Sequence, residues 1–133
     1  MLMPYLSFNG DCEEALGLYA DAFSGKIEYM SRWALPVCAP ALEGKVMHAH
    51  VTFGETGAIN AGDTEEPVVF GNAISLIVHF ETEARANGVA AKLAAGGTLV
   101  QDFTPNPPPD DGSMCGVICD KFGYTWILVC PTE

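Results

Sequence analysis

The stretch Pro4-Tyr5-Leu6-Ser7-Phe8-Asn9-Gly10-Asp11, running on through Cys12-Glu13-Glu14-Ala15 to Phe23-Ser24-Gly25, decides the fold. Pro4 to Phe8 is short, apolar and aromatic, the composition of a strand. Asn9-Gly10 breaks it. Asp11 is a helix N-cap, and Glu14 three residues later completes a capping-box pattern with Asp in place of Ser or Thr. Ala15, Leu18, Tyr19, Ala22 and Phe23 then recur at helical spacing, and Gly25 closes the helix. A strand, a break, a capped helix and a glycine stop follow one another within about twenty residues, the opening of a βαβ-type unit.

Outward from there the chain reads as strands. Lys26 to Trp33 has strand character, and Ala34 to Gly44, with Pro36 and Pro40, is a loop. Val46 to Phe53 is a strand, Glu55-Thr56-Gly57 a turn, and Ala58 to Ala61 a short returning strand. Thr64 to Pro67 is an acidic linker. The opening punctuation then returns. Ala73 to Phe80 is a strand, and Thr82 caps a helix. Ala84, Val89, Ala90, Leu93 and Ala94 form that helix's buried side, Gly88 weakens it, and Gly96-Gly97 ends it. Thr98 to Phe103, Ser113 to Cys119 and Tyr124 to Cys130 are strands. The proline-rich loop Thr104 to Gly112 and the turn Asp120-Lys121-Phe122-Gly123 separate them.

The order is βαβββ, linker, βαβββ: module one about residues 1–66, module two about 70–133, one α+β domain spanning 1–133. Two such modules can set their sheets side by side as one curved mixed sheet with the helices outside. The concave face would then be a cup for a small molecule.

Composition narrows the function classes. With 133 residues and 49% of them hydrophobic, the chain can bury a core without cross-links. Six basic residues against 17 acidic ones give a net charge of −11, which repels phosphate backbones and anionic membranes; no nucleic-acid partner is expected. The five cysteines, Cys12, Cys38, Cys115, Cys119 and Cys130, are odd in number and contain no C-x-x-C pair. Cys115 and Cys119 on one strand would stand roughly 13 Å apart, too far to bridge. Reduced core thiols fit the cytoplasm, where the chain is expected to reside. Met1 to Phe8 has no basic start of a secretory signal, and the apolar runs fall well short of the ~20 residues that span a bilayer, so no membrane partner is expected.

Three motifs in order resemble the PhnB-like branch of the vicinal oxygen chelate superfamily, which includes glyoxalase I, the bleomycin-resistance proteins and extradiol dioxygenases. They are Pro4-Tyr5-Leu6-Ser7-Phe8-Asn9-Gly10 with Glu13-Glu14-Ala15 and Tyr19, Val46-Met47-His48-Ala49-His50-Val51-Thr52-Phe53, and Asp120-Lys121-Phe122-Gly123-Tyr124-Thr125-Trp126. The resemblance covers nearly the whole chain. It implies the glyoxalase/bleomycin-resistance fold of paired βαβββ modules, a homodimer, and a small-molecule ligand. Catalytic members of the superfamily hold a divalent metal with His and Glu at four strand positions. Carried over by strand ends, these fall near Pro4, Asn60, Ala73 and Ile127. Their neighbours Tyr5, Ile59, Ala61, Ile74, Trp126 and Leu128 are no stronger as ligands. No metal and no cofactor are therefore expected.

Of the polar residues, His48 and His50 are the leading catalytic candidates. Two apart on a strand, they leave the same face, while Met47, Ala49 and Val51 leave the other, toward a helix. Paired imidazoles can move protons, hold an anion or ligate a metal. Tyr5, Ser7, Tyr29, Trp33, Phe103 and Trp126 are candidate cup-wall residues, with rings to stack on a ligand and hydroxyls to orient it. His79 reads as a solvated strand end sharing a face with Ser75 and Ile77. Asp63, Glu65 and Glu66 read as a solvated acidic turn. Cys115 and Cys119 lack the basic partner or helix N-terminus that would make them nucleophiles.

Two function classes stand beside each other: a binding module of the bleomycin-resistance kind, and a metal-dependent lyase, isomerase or dioxygenase using His48 and His50. A methyltransferase, a label this branch has carried, lacks the glycine-rich strand-to-helix turn that holds an adenosine cofactor. The proline-rich segment Pro105 to Pro109 and the apolar fraction of the chain are consistent with a second copy as partner.

Overall fold

Residues 1–55 and 57–132 are described here, in a computed structural model; Thr56, in the turn expected at residues 55–57, lies outside them. The chain divides into two compact units, Met1–Val69 and Phe70–Glu133.

Module one runs β1 (Tyr5–Phe8), α1 (Cys12–Phe23), β2 (Lys26–Arg32), a 3₁₀ turn at Pro40–Leu42, β3 (Val46–Thr52) and β4 (Ala58–Asp63). Its sheet order is β1-β4-β3-β2, with β1 and β4 parallel and the other pairs antiparallel. Module two runs β5 (Leu76–His79), α2 (Glu83–Ala94), β6 (Thr98–Pro105), β7 (Ser113–Cys119) and β8 (Thr125–Pro131), in the order β5-β8-β7-β6. Again only the outer pair, β5 and β8, is parallel. The two βαβββ units expected from the sequence are thus present, each a mixed four-stranded sheet with one helix packed on it.

The core of each module lies between helix and sheet. In module one, Leu6, Phe8, Ala49, Val51, Ile59 and Ala61 of the strands and Ala15, Leu16, Tyr19, Ala22 and Phe23 of α1 are buried. Leu16 is buried, while Leu18 is only half-buried. In α2 the stripe is Ala86, Val89, Ala90 and Leu93, an i, i+3, i+4, i+7 set; Ala84, two residues before it, lies exposed on the other side of the helix. Each fully buried aliphatic of this kind is worth about 1.5–3 kcal/mol relative to exposure.

Several local expectations are corrected by longer-range contacts. Asp11 occupies the N-cap of α1, but its side chain makes no capping bond. The work falls to Asp63 at the end of β4. Its Oδ1 accepts from the Gly10 and Cys12 N–H groups at 2.8 and 3.1 Å, and its Oδ2 from Val46 N–H at 2.9 Å. Asp63 is buried, so it is no part of a solvated acidic turn. In α2 the local reading holds: Thr82 Oγ1 accepts from Arg85 N–H at 3.2 Å.

Met47 is exposed and Val46 buried, against the simple alternation. Ser31 pairs with His48 but Arg32 with Val46, so Met47 is an extra residue in the ladder, and the bulge reverses the facing of the strand before it. β4 continues two residues beyond Ala61, pairing Gly62 and Asp63 with Ser7 and Phe8. β5 starts at Leu76, three residues later than Ala73, which sits in a bend.

Gly25 and Gly97 hold the same place in their modules, just after the helix and before the next strand. The need for glycine is close approach. A Cβ on Gly25 would stand 2.7 Å from the Phe53 ring and 2.8 Å from the Thr52 carbonyl oxygen, and one on Gly97 would run into the Cys119 carbonyl and the Asp120 backbone. In α1 the left-handed position is taken by Ser24 (φ 53°).

Candidate ligand-binding site

The sheet face of module one turned away from α1 carries the polar groups. Tyr5 pairs with Asn60, Asn60 with His50, and His50 with Tyr29, so one row of side chains crosses all four strands. A second row has Ser7 opposite Gly62 and His48 opposite Ser31. Five candidates from the sequence, Tyr5, Ser7, Tyr29, His48 and His50, therefore come together on this face. Asn60, Ser31 and Gly62 join them. The sequence offers Asn60 only as a position carried over from the resemblance; its contact with His50 depends on the β3–β4 register.

The rings are organised around His48. Tyr5 stacks on it with centroids 5.9 Å apart and planes 24° apart, and Tyr29 tilts against it at 6.1 Å. Tyr5 reaches across β4 to do so because Gly62 has no side chain. A Cβ there would strike the Tyr5 hydroxyl and stand 2.7 Å from the Met47 carbonyl oxygen. Partial burial, then Cys12 and Asp63, push the Tyr5 phenol up from its ordinary pKa, so it stays a neutral hydrogen-bond donor across the physiological range. His50 Nδ1 lies 3.0 Å from Asn60 Oδ1, and Asn60 Nδ2 contacts the Met3 sulfur at 3.8 Å. Near His50, Glu28 accepts from Thr52 Oγ1 at 2.9 Å, and that bond, ahead of Lys26 and His50, lowers the Glu28 carboxyl.

Trp33 lies just beyond β2, where its Nε1–H donates to the Asp63 carbonyl oxygen at 3.0 Å. It is thereby tied to the end of β4. Phe103 and Trp126 are not wall residues of an open face. The Phe103 ring lies over Gly116, on the side of β7 that bears buried Ile118. Trp126 is 2% exposed on the α2 side of β8, and its Nε1–H donates to Asp120 Oδ2 at 2.8 Å.

The open face of module two is different in kind. Its central row is Ile77, Ile127, Val117 and Gln101, flanked by Cys115, Cys119, Thr125 and Val129. His79 is exposed at the end of β5. Cys115 lies beside the Gln101 amide, 3.7 Å from Nε2 to Sγ.

The four positions near which the resemblance places the superfamily's metal ligands are spread over both modules. Pro4 precedes β1, Ala73 lies ahead of β5, and Ile127 pairs with Ile77; only Asn60 is polar, and it is an amide. Among the described residues no three His, Cys, Asp or Glu side chains gather closely enough to hold a metal ion.

A cleft of about 600 Å³ lies elsewhere in module one, at the start of α1 between Asp11, Glu13, Glu14, Glu43 and Lys45. It is a shallow, open groove with a solvated acidic rim. The one buried carboxylate lining it, Asp63, is already occupied by three backbone N–H groups. The histidine face is therefore the better candidate.

Comparison with known proteins agrees with this architecture. Residues 1–129 match the family described as 3-demethylubiquinone-9 3-methyltransferase. The PhnB protein of Bacillus cereus, provisionally given the same methyltransferase description, is 30% identical over 97% of this chain and 98% of its own, with a TM-score of 0.80. Protein PA1353 from Pseudomonas aeruginosa is 27% identical over 100% and 98%, with a TM-score of 0.85. A glyoxylase/bleomycin resistance protein/dioxygenase domain from Frankia sp. EAN1pec shares 13% identity over 100% and 92%, with a TM-score of 0.72, a likeness of fold. No curated protein matches.

Proposed function

Because the chain belongs to the 3-demethylubiquinone-9 3-methyltransferase family, a PhnB-like member of the vicinal oxygen chelate superfamily, we propose that it is a small-molecule-binding protein of the glyoxalase/bleomycin-resistance type whose ligand lies on the open face of module one. One observation carries this reading. Tyr5, Tyr29, His48, His50 and Asn60 converge on one solvent-accessible sheet face, with two aromatic rings flanking an imidazole. Such a face offers stacking to a flat ligand and directed hydrogen bonds to its polar edge.

The protein works without the superfamily's divalent metal, because the four positions that would supply ligands carry proline, amide and aliphatic side chains. His48 and His50 keep a metal-dependent lyase, isomerase or dioxygenase as the alternative. The methyltransferase description belongs to the family as named. In this chain the β1–α1 connection holds a single glycine, Gly10, and no glycine-rich cradle for an adenosine cofactor. Calorimetric binding of S-adenosylmethionine would restore that reading. The protein is cytoplasmic and pairs with a second copy. Each sheet has two edge strands, and Ile77, Leu99 and Val100 are exposed large apolar residues. No helix among the described residues is long and apolar enough to cross a membrane.

The test is a small-molecule panel read by amide NMR, with metal analysis of the protein as purified. Binders should shift Tyr5, Tyr29, His48, His50 and Asn60. Shifts confined to other surfaces, or one equivalent of transition metal retained through dialysis, would reject the reading. A sedimentation mass near 14.1 kDa that stays unchanged on tenfold concentration would reject the dimer.

A further inference from the structure

The hydrogen-bond chain Met3–Asn60–His50 determines which imidazole nitrogen carries the proton. A thioether sulfur accepts hydrogen bonds and cannot donate them. Facing Met3 Sδ at 3.8 Å, the Asn60 amide therefore presents its NH₂ end to the sulfur, and its carbonyl oxygen faces His50. The reverse orientation would set that oxygen against the sulfur, acceptor against acceptor. Asn60 Oδ1 is an acceptor only, so the nitrogen 3.0 Å away, His50 Nδ1, must be the donor. In the neutral ring Nε2 is then a bare lone pair, and among the described residues no hydrogen-bond donor meets it. Free histidine side chains favour the opposite tautomer, so the arrangement is imposed by the fold.

We propose that Asn60, itself held by Met3, is a positioning residue that locks His50 as the Nδ1–H tautomer and so makes Nε2 a proton-acceptor subsite for a small molecule bearing an acidic hydroxyl, a phenol or an enol. This rests on the open face of module one being the ligand site. The ligand O–H donates to Nε2. If the proton transfers, the ligand keeps the bonding pair as an oxyanion. His50 becomes an imidazolium whose Nδ1–H still donates to Asn60, and the neutral Tyr5 phenol on the same face can donate to the oxyanion. Glu28 is the carboxylate that interacts with His50, and Lys26 and Thr52 are in turn engaged by Glu28.

Long-range proton–nitrogen NMR on ¹⁵N-labelled protein, at a pH where imidazoles are neutral, reads the tautomer directly in the ligand-free protein. The expected result is His50 as Nδ1–H. Asn60→Asp, which keeps an acceptor oxygen, should retain that pattern, and Asn60→Ala should shift the balance toward Nε2–H. A wild-type spectrum showing Nε2–H, or Asn60→Ala leaving Nδ1–H unchanged, overturns the positioning role. Should Asn60→Ala fail to fold, the wild-type and Asn60→Asp spectra decide.

The ligand class is tested, at a pH where both imidazole and probe are neutral, with 4-chlorophenol against 4-chloroanisole, which keeps the ring and lacks the acidic proton. The phenol should move the His50 Nε2 resonance by several times more than the ether does. Equal shifts overturn the acceptor subsite. No shift of any open-face resonance with either probe overturns the ligand-face reading itself, while the tautomer result stands apart.

Discussion

The two modules share one strand order, one helix placement and one glycine-punctuated turn, yet their open faces differ. Module one presents Tyr5, Tyr29, His48, His50 and Asn60; the matching strands of module two present Ile77, Ile127, Val129, Val117 and Cys115. The helix-facing sides are alike in kind, mainly aliphatic with large aromatics packed in, Phe8 on β1 with Tyr19 and Phe23 of α1 in module one and Trp126 on β8 in module two. Packing against a helix constrains one side of each sheet to apolar volume. The other side is free of that demand, so the modules have diverged there. The tyrosine, histidine and amide side chains of the open faces are gathered mainly in one half, while a helix packs on the sheet of both.

The anchoring carboxylates give the largest test of how alike the two halves are held. Asp63 receives three N–H donors, and Asp120 receives Phe122 N–H, Tyr124 N–H and Trp126 Nε1–H. Asp63→Ala and Asp120→Ala should each cost about 3–5 kcal/mol in urea unfolding, since each donor left buried and unsatisfied costs about 1–3 kcal/mol. A difference above about 2 kcal/mol between them would show that the halves are not held alike.

Next come the paired glycines. Gly25→Ala and Gly97→Ala should each destabilise by about 1–3 kcal/mol, because the added carbon meets backbone that cannot yield. Thermal melts that leave one variant unchanged would break the equivalence of the two turns.

The smallest effect is kinetic and compares thiols. Burial, then Asp63, pushes the Cys12 thiol up to about 12, and burial, then Glu83, raises Cys130. Both stay protonated at pH 8, so iodoacetamide should label half-buried Cys38, Cys115 and Cys119 first, read by peptide mass spectrometry. Because the folded-state value of Cys12 is raised, its contribution to stability is complete below its ordinary value of 9.0 and fades as pH climbs toward about 12. Early labelling of Cys12 would mean that the start of α1 opens locally.

What could be read beforehand followed the range of the interactions. Element order was legible because strand, cap, helix and glycine signals act over a few residues. Thr82 capped α2 as read, and His48 and His50 shared a face as parity requires. Asp63 was not legible as a cap, since its partners Gly10 and Cys12 are more than fifty positions away. Met47 was misplaced because a bulge leaves no mark in composition. Trp126 is misplaced on a ligand wall because β8 is largely apolar on both sides, Trp126-Ile127-Leu128-Val129, and alternation cannot tell its faces apart. The Asn60–His50 contact needed the strand register, which sequence spacing alone does not supply.

The two helix caps also set an order of events. α2 is capped by a residue three positions away, so its first turn can close as soon as it is made. α1 waits for an oxygen 51 positions downstream, which arrives only when β4 has docked beside β1. Closing a loop of that length carries an entropic cost that a local turn avoids, and contacts distant in sequence form late. A newly made chain should therefore bring α2 to rest while the beginning of α1 still frays. In pulsed hydrogen exchange, Arg85 and Ala86 should gain protection before Cys12. The half that carries His48 and His50 would then be the last to take shape.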